Sequence, residues 1–277
     1  MFSVTYCSVQ GKSRSINEDA ILIRKDVVAN CGDTVTIEEQ ESFLLAVADG
    51  MGGYAKGDVA ASMVLHHLAN VQPSDARTFI QSLIEVKQSL EAFASQNKVQ
   101  LGTAFAGVLY DQKSFLIINV GDCRVYKVTS EMSVLLSRDH TLVRHLQDLD
   151  VDEHIIQRQQ NILTSAITGG MGNEDFEIYQ KRVVLQEDEQ LLLCSDGFWS
   201  VFEADIPKIA RSKEPLTYLK QLLKRRDVDD DCSFVLLRKE IKKGKRKSFF
   251  DIIKTYCKKR CSGRWNSNGK SIMKEGK

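Results

Sequence analysis

The sequence has no apolar run approaching the ~18 residues that a membrane-spanning helix requires. Its first ten residues lack a basic start followed by a long apolar stretch, so no secretory leader is predicted. Proline is scarce, with 3 in 277 residues, and the shares of 43% apolar and 27% charged residues are ordinary for a globular protein. The composition therefore argues against a membrane-embedded or globally disordered chain and predicts a folded, cytoplasmic protein.

The cysteines lack a metal-ligand spacing. The seven are Cys7, Cys31, Cys123, Cys194, Cys232, Cys257 and Cys261. Several stand inside apolar runs, which predicts reduced and mostly buried thiols, as in a cytosolic protein. Cys257 and Cys261 are close in sequence, but no second pair of cysteines or histidines lies nearby, so structural zinc is not expected.

The net charge of +1 hides an uneven distribution. From residue 238 to 277 the chain has 15 Lys and Arg against 3 Asp and Glu, which leaves residues 1–237 with a net charge of −11. An acidic body suits a domain that holds cations, and a basic tail suits polyanions or an anionic membrane surface.

The basic tail has three interpretations. Phe249, Ile253 and Tyr256 would form a short apolar helix face between basic ends, which could lie on anionic lipid. The same segment could dock on a partner protein or bind nucleic acid without sequence specificity. It could also remain a solvated chain. No feature of the sequence selects among these, so peripheral membrane attachment through the tail stays an open alternative to a purely cytoplasmic location.

Strand and helix patterns fill residues 1–238. Apolar and β-branched runs bounded by polar residues or glycine predict strands at 2–9, 20–24, 43–48, 103–110, 115–120, 124–128, 190–194 and 233–237. A helix is predicted where apolar residues recur at steps of four and three, namely Phe79, Leu83, Val86, Leu90 and Phe93. Further amphipathic helices are predicted at 59–68 and 216–223. Strict βαβ alternation is absent, so the predicted class is α+β with mainly antiparallel sheets, in one domain of 1–238 followed by a tail of 239–277.

Four short segments place carboxylates beside turn residues at the ends of predicted strands. They are Asn17-Glu18-Asp19, Asp49-Gly50-Met51-Gly52-Gly53, Ser195-Asp196-Gly197 and Asp229-Asp230-Asp231. Each alone is typical of a turn, but Asp49 and Asp196 follow apolar runs and Asp230 precedes one. Carboxylates at the edge of a core repel one another unless cations neutralise them. Oxygen ligands of this kind suit Mg²⁺ or Mn²⁺.

The order of these segments resembles the PPM family, the metal-dependent type 2C protein phosphatases, in its bacterial branch. The resemblance rests on seven motifs between residues 11 and 233. They are Gly11, Arg14 and Asn17-Glu18-Asp19-Ala20; Val47-Ala48-Asp49-Gly50-Met51-Gly52-Gly53 with Gly57-Asp58-Val59-Ala60; Gly102-Thr103-Ala104; Asn119-Val120-Gly121-Asp122-Cys123-Arg124; Arg138-Asp139-His140-Thr141-Leu142-Val143; Ser195-Asp196-Gly197-Phe198-Trp199; and Asp230-Asp231-Cys232-Ser233.

The resemblance implies a β-sandwich of two antiparallel sheets flanked by helices in four layers, α-β-β-α, with two Mn²⁺ or Mg²⁺ ions at one end. By position in the motifs, Asp49 would bridge both ions, and Asp196 with Asp230 would complete the first. Glu18 and the backbone carbonyl of Gly50 would hold the second ion. The same likeness gives Asp19 the role of orienting water.

Three further features follow from the same resemblance. Arg14 matches the arginine that binds the substrate phosphate, and the guanidinium fork suits two phosphate oxygens. Asp122 matches an aspartate that holds a third, weaker ion with Asp196, although a turn-capping role is an equal alternative. Residues 147–160 resemble a flap beside the active site, with an ordinary surface helix and loop as the alternative.

The sequence departs from the family pattern near the proposed site. Met51 stands where many eukaryotic relatives have the histidine that protonates the leaving group, and Met51 cannot donate a proton. Ser200 stands where relatives often have aspartate. The general acid is therefore expected to be water or another group. No chemistry is assigned to the five histidines, and His66 and His67, on a predicted helix, are expected to be surface or packing residues.

The predicted function is a serine/threonine protein phosphatase that uses metal-activated water and opposes a bacterial Ser/Thr kinase. Its partners would be phosphoproteins, with a membrane surface or polyanion as a candidate for the tail and no sequence-specific nucleic-acid recognition. One alternative is a pseudophosphatase that binds phosphoproteins as a regulatory module without turnover. Another is a basic-tailed adaptor whose acidic cluster binds a structural cation.

Overall fold

The computed structural model describes residues 1–51, 56–149, 162–170 and 176–240. Contacts within the chain separate Met1–Glu240 from Ile241–Lys277. Gly52 and Gly53 of the glycine-rich motif, residues 150–160 of the proposed flap and the basic tail from residue 241 onward lie outside the described residues.

Two antiparallel sheets form the centre of the domain. In sheet I the strand order is β4 (Gly32–Ile37), β1 (Phe2–Val9), β13 (Cys232–Lys239), β12 (Gln190–Cys194), β8 (Arg124–Val128) and β9 (Ser133–Leu135). In sheet II it is β11 (Tyr179–Val183), β7 (Phe115–Val120), β6 (Leu101–Tyr110), β5 (Phe43–Gly50), β2 (Asp19–Ile23) and β3 (Asp26–Val28), and β10 (Ile167–Gly169) also pairs with β6.

Helices lie outside both sheets. Sheet II is covered by α1 (Gly57–Val71) and α2 (Ala76–Asn97). Sheet I is covered by α4 (Asp196–Phe202), α5 (Ile206–Arg211) and α6 (Pro215–Leu223). A short helix α3 (Leu142–Asp148) follows β9, and a 3₁₀ turn (Glu203–Asp205) joins α4 to α5. No helix among the described residues is long and apolar enough to cross a membrane.

Strand alternation produces three apolar layers. Along β5, Phe43, Leu45 and Val47 face sheet I, whereas the intervening residues face α1 and α2. Along β13, Val235 faces the space between the sheets and Phe234 faces α4. Each side chain of this size contributes about 1.5–3 kcal/mol on burial. The predicted α+β sandwich, with layers in the order α-β-β-α, is confirmed.

The predicted elements differ from the observed ones mainly at their ends. Strand β2 begins one residue earlier than predicted, at Asp19, and Arg24 leaves it with a positive φ of 63°. Helix α2 begins after Asp75, whose carboxylate accepts a hydrogen bond of 2.8 Å from the Thr78 N–H. Five strands were not predicted, β3, β4, β9, β10 and β11. All are short or carry exposed polar residues, so their sequences lack the apolar signal of a buried strand.

Candidate active site

The first pair of acidic residues lies at one end of sheet II. Asp19 starts β2 and Asp49 stands near the end of β5, and the antiparallel register places them directly opposite each other. The Thr103 hydroxyl of the next strand donates a 2.8 Å hydrogen bond to the Asp49 carbonyl. Strand pairing therefore brings together two carboxylates that are 30 residues apart in sequence.

Sheet I supplies the second pair at the same end of the sandwich. Asp196 starts α4 directly after β12, and Asp230 precedes β13, the strand that pairs with β12. Helix α4 approaches the loop before β13 very closely: a Cβ added at Gly197 would lie 2.1 Å from the Asp231 carbonyl oxygen. Glycine at 197 is thus what allows Asp196 to enter the site.

Asp19 is held by the opposite sheet. Ser195 Oγ donates a 2.7 Å hydrogen bond to Asp19 Oδ2 and accepts one of 3.0 Å from the Ser233 N–H. Burial raises the Asp19 pKa to about 8, against the lowering effect of the serine contacts and with the help of nearby Asp231 and Asp196. Asp19 Oδ1 has no hydrogen-bond partner among the described residues. An acceptor is therefore buried in the site with a free lone pair.

Asp49 and Asp196 are close enough to share a hydrogen bond. The pKa of Asp49 is raised well above its usual value by burial and then by the charges of Asp19, Asp196 and Asp122. The pKa of Asp196 is raised by burial and by Asp230. Asp49 still has a partly exposed surface. Two such carboxylates resist full ionisation without a positive charge near them.

Arg14 is the positive charge that the chain itself provides. Its Nε and Nη2 donate hydrogen bonds of 2.8 Å each to the two oxygens of Asp230, and Nη1 lies 3.6 Å from Glu18 Oε2. The hydrogen bond to Asp230 raises the pKa of Arg14 against the effect of burial. The fork expected to bind phosphate thus pairs with a carboxylate expected to bind metal.

The loop that carries Arg14 and Glu18 is fixed by Asp231. Its Oδ1 accepts from the Gly11 N–H and its Oδ2 from the Glu18 N–H, both at 2.8 Å. The side chain is buried. No role was predicted for Asp231, since a carboxylate that binds two distant backbone N–H groups has no local signature in the sequence.

Glu18 and Gly50 lie beside the start of α1. The Gly50 N–H donates a 3.1 Å hydrogen bond to the Glu18 carbonyl. A Cβ at Gly50 would lie 2.3 Å from the Gly57 carbonyl carbon, so only glycine lets the two segments approach. The Glu18 side chain contacts Gly57, and burial raises its pKa while Arg14 lowers it.

Asp122 lies at the edge of the group, in the turn between β7 and β8. Its carbonyl accepts a 2.9 Å hydrogen bond from the indole N–H of Trp199. Burial, followed by the charges of Asp196 and Asp139, raises the Asp122 pKa to about 7. With Asp196 and Asp230 it lines a cavity of about 490 Å³, the site cavity.

The donor set fits a hard divalent cation. All the side-chain candidates are carboxylates, and the raised pKa values and the unpaired Asp19 Oδ1 show a site with an excess of acceptors and negative charge. Within the described ranges, no three His, Cys, Asp or Glu side chains are arranged closely enough to hold a metal ion as they stand. Arg14 donates to both oxygens of Asp230 and Ser195 donates to one oxygen of Asp19, so these three oxygens already have partners within the chain.

The fold matches solved bacterial phosphatases. Serine/threonine phosphatase Stp1 from Staphylococcus aureus has a TM-score of 0.70 at 24% identity, over 87% of this chain and 96% of that one. The serine/threonine phosphatase of S. agalactiae has a TM-score of 0.74 at 21% identity, over 87% of this chain and 100% of that one. These likenesses show that the chain has the same β-sandwich fold as those structures.

Sequence comparison identifies the family. The chain is 30% identical to the serine/threonine phosphatase Stp of Listeria innocua over 190 residues, which make up 63% of this chain and 74% of the relative. The sequence model of protein phosphatase 2C matches residues 24–233. The chain therefore belongs to the protein phosphatase 2C family, and the resemblance read from its motifs is confirmed. Arg14, Glu18 and Asp19 precede the matched residues.

Proposed function

We propose that the chain hydrolyses phosphoserine and phosphothreonine in proteins with water activated by two divalent cations, Mn²⁺ or Mg²⁺. The observation that carries the proposal is the group of three carboxylates, the buried Asp19 and the partly exposed Asp49 and Asp196, which meet from two sheets near Arg14. The named relatives support the reaction, since they are serine/threonine phosphatases. The catalytic domain of PstP, similar in fold with a TM-score of 0.66, was solved with two manganese ions.

The residues divide into ligand sets by their place in the sandwich. Asp49, near the end of β5 in sheet II, would be a ligand of both ions. Asp196 and Asp230, from sheet I, would complete the ligand set of one ion. Glu18 and the Gly50 carbonyl would complete the other set, and the two residues are linked by the hydrogen bond from the Gly50 N–H to the Glu18 carbonyl. Asp122, next to Asp196, would hold a third, weaker ion with it. When bound, such ions supply Lewis acidity that activates water and neutralises phosphoryl oxygens.

Asp19 and Arg14 would act on water and on the substrate. The unpaired Asp19 Oδ1 is an acceptor that can orient the attacking water, while Ser195 keeps the carboxylate in place. Arg14 would release its hydrogen bonds to Asp230 and form hydrogen bonds to two oxygens of the substrate phosphate instead. This exchange is favourable once Asp230 has another cation to neutralise it, because the fork then pairs with the incoming anion instead.

Turnover is favoured over phosphoprotein binding without catalysis. A pseudophosphatase needs none of the carboxylates, yet Glu18, Asp49, Asp196 and Asp230 are all present at the same end of the sandwich. Arg14 pairs with Asp230 and lies 3.6 Å from Glu18 there. The physiological substrates would be proteins phosphorylated by a Ser/Thr kinase. The phosphatase would remove the phosphate that the kinase adds.

Hydrolysis of p-nitrophenyl phosphate and of phosphothreonine peptides tests the proposal. Activity should require Mn²⁺ or Mg²⁺, vanish on chelation and return when the metal is restored. Asp49→Asn should lower kcat by orders of magnitude, because it removes the charge shared by both ions. Without metal, the variant should be at least as stable as the wild type, because removing one of several crowded carboxylates relieves repulsion.

Asp188→Asn is the matched control, since Asp188 is exposed and lies in the turn before β12. It should leave kcat unchanged. Full activity after exhaustive chelation, or near-wild-type turnover by Asp49→Asn, would show that the chemistry lies elsewhere.

A further inference from the structure

A second cavity continues from the site cavity. This arginine groove, of about 580 Å³, shares Arg124, Asp139, Thr141 and Val143 with the site cavity. Beyond the shared wall it is lined by Leu135, Arg138, Arg144, Gln147 and Tyr179. A polypeptide with its phosphorylated residue at the carboxylates therefore has a continuous depression into which its neighbouring residues can extend.

A largely buried ion pair, whose charges balance, forms part of the wall that the two cavities share. The Arg124 guanidinium lies 3.6 Å from the centre of the Trp199 ring and donates hydrogen bonds of 2.7–3.1 Å to both oxygens of Asp139. Arg124 and Asp139 are largely buried. Because each is neutralised by the other, this pair shapes the passage but adds no net charge to it.

The charge of the groove comes from two exposed arginines. Arg138 and Arg144 have side chains 48% and 50% exposed, and both pair with the same carboxylate, Asp148, at 2.6 and 3.1 Å. Two guanidinium groups against one carboxylate leave an excess positive charge. Because exposed ion pairs contribute little to stability, an incoming anion can replace Asp148 on either arginine.

The backbones below these side chains are well fixed. The buried Asn119 side chain donates to the Arg138 carbonyl at 2.8 Å and accepts from the Arg138 N–H at 3.2 Å. The Arg144 N–H is capped by the Thr141 hydroxyl at 3.2 Å. The two arginines are thus presented at set positions, while Leu135 and Tyr179 provide apolar surface for the peptide between them.

We propose that the arginine groove binds an acidic segment of the phosphoprotein substrate, through side-chain carboxylates or a second phosphate near the phosphorylated residue. The groove selects substrates by charge, and the carboxylate site performs the hydrolysis. This inference rests on the proposed function, since it deepens the substrate class of the same site.

The test is a series of phosphothreonine peptides in which one position at a time, on either side of the phosphothreonine, carries Glu, phosphoserine, Ala or Lys. For the wild type, kcat/KM should be highest with an anion at one or two positions, about five- to tenfold above Ala, and lowest with Lys. Preference for Glu identifies carboxylates as the ligand, and preference for phosphoserine alone identifies a second phosphate.

Variants locate the preference on the groove. The double change Arg138→Ala and Arg144→Ala should equalise the Glu and Ala peptides while leaving kcat/KM for p-nitrophenyl phosphate unchanged. Asp148→Asn should increase the preference, because both arginines lose their competing partner. Arg24→Ala is the matched control, since Arg24 is 51% exposed, pairs with the single carboxylate of Glu41 and lines a separate cavity. It should keep the wild-type preference.

Equal kcat/KM for Glu, Ala and Lys peptides in the wild type, or an unchanged preference in the double variant, would overturn the inference while small phosphoesters are still hydrolysed. Failure to hydrolyse p-nitrophenyl phosphate as well would instead refute the proposed function.

Discussion

Arg14 and Asp230 show how one charge can serve two roles in the candidate site. The guanidinium fork satisfies both oxygens of Asp230, which would otherwise be an uncompensated charge beside Asp196. Glu18, 3.6 Å away, adds a second carboxylate to the same arginine. A cation at Asp230 would make the pairing with Arg14 unnecessary, so the arginine and the proposed metal would act as alternatives for neutralising the same groups.

Arg14→Ala tests this competition. It removes a bidentate charged contact to phosphate, worth about 1.5–3 kcal/mol, so kcat/KM should fall about 10- to 150-fold. Mn²⁺ affinity should stay the same or increase, because Asp230 no longer has Arg14 as a partner. Steady-state kinetics and Mn²⁺ titration of the same samples measure both effects.

Arg14→Lys is the control for that experiment, since it keeps the charge and removes the fork. Relative to Arg14→Ala, this variant should have a Mn²⁺ affinity closer to that of the wild type but should recover only part of the wild-type kcat/KM. Abolished Mn²⁺ binding in Arg14→Ala would mean that the arginine organises the metal ligands instead of competing with them.

At the scale of elements, His140 fixes the turn between β7 and β8 by two hydrogen bonds to Gly121. The Gly121 N–H donates a 3.0 Å hydrogen bond to His140 Nδ1, and the His140 N–H donates one of 2.9 Å to the Gly121 carbonyl. The His140 side chain is 1% exposed. Because Nδ1 accepts, the proton of the neutral ring lies on Nε2. This contact positions the turn that carries Asp122.

Burial lowers the pKa of His140, against the raising effect of Glu177 and Asp139, while Arg138 lowers it further. Below about pH 6.5 the unfolded chain takes up a proton on this histidine. The folded chain takes one up only at lower pH. The stability associated with the neutral ring is therefore complete above about pH 6.5 and is lost as the pH falls from there towards the lower folded pKa.

His140→Ala should lower the free energy of unfolding by about 2–4 kcal/mol at pH 7.5, because it leaves the buried Gly121 N–H without an acceptor and creates a cavity. It should also flatten the decline of stability between pH 6.5 and 5 relative to the wild type. Urea unfolding at several pH values measures both. The other histidines are unchanged in the variant, so an identical pH slope in the two proteins would contradict the account.

At the scale of the whole molecule, the acidic domain and the basic tail are expected to separate in function. Strand β13 ends at Lys239, and the Glu240 N–H donates a 2.9 Å hydrogen bond to the Met1 carbonyl. Lys239 also pairs with Glu39 at 2.8 Å. The chain up to Glu240 thus contains every strand that the structure describes.

Deletion after Glu240 should leave a folded domain with unchanged activity on p-nitrophenyl phosphate. A deletion after Ser233 is the control, and it should not fold, because β13 lies in the centre of sheet I between β1 and β12. Sedimentation with vesicles that contain or lack anionic lipid then tests the tail. No binding by the intact chain would discard the membrane interpretation, and an insoluble deletion after Glu240 would show that the tail packs into the domain.

Much of the fold could be predicted because its central strands are buried on both faces. The apolar runs of β1, β5, β7, β12 and β13 were located to within a few residues. Edge strands such as β11, with the sequence Tyr-Gln-Lys-Arg-Val, could not be predicted, since hydrogen bonding to a neighbour, not burial, makes them strands.

The sequence by itself determined the family of this protein and predicted its chemistry, because the carboxylates, their glycine-rich turns and their order along the chain are properties of residue type and spacing. The tertiary structure alone decided which groups face each other: Asp19 opposite Asp49, Ser195 on Asp19, Asp231 beneath the loop of Arg14, and Arg14 on Asp230. Those pairings join segments up to about 220 residues apart. Contacts at such separations depend on strand register and sheet packing, which no local pattern of residues specifies.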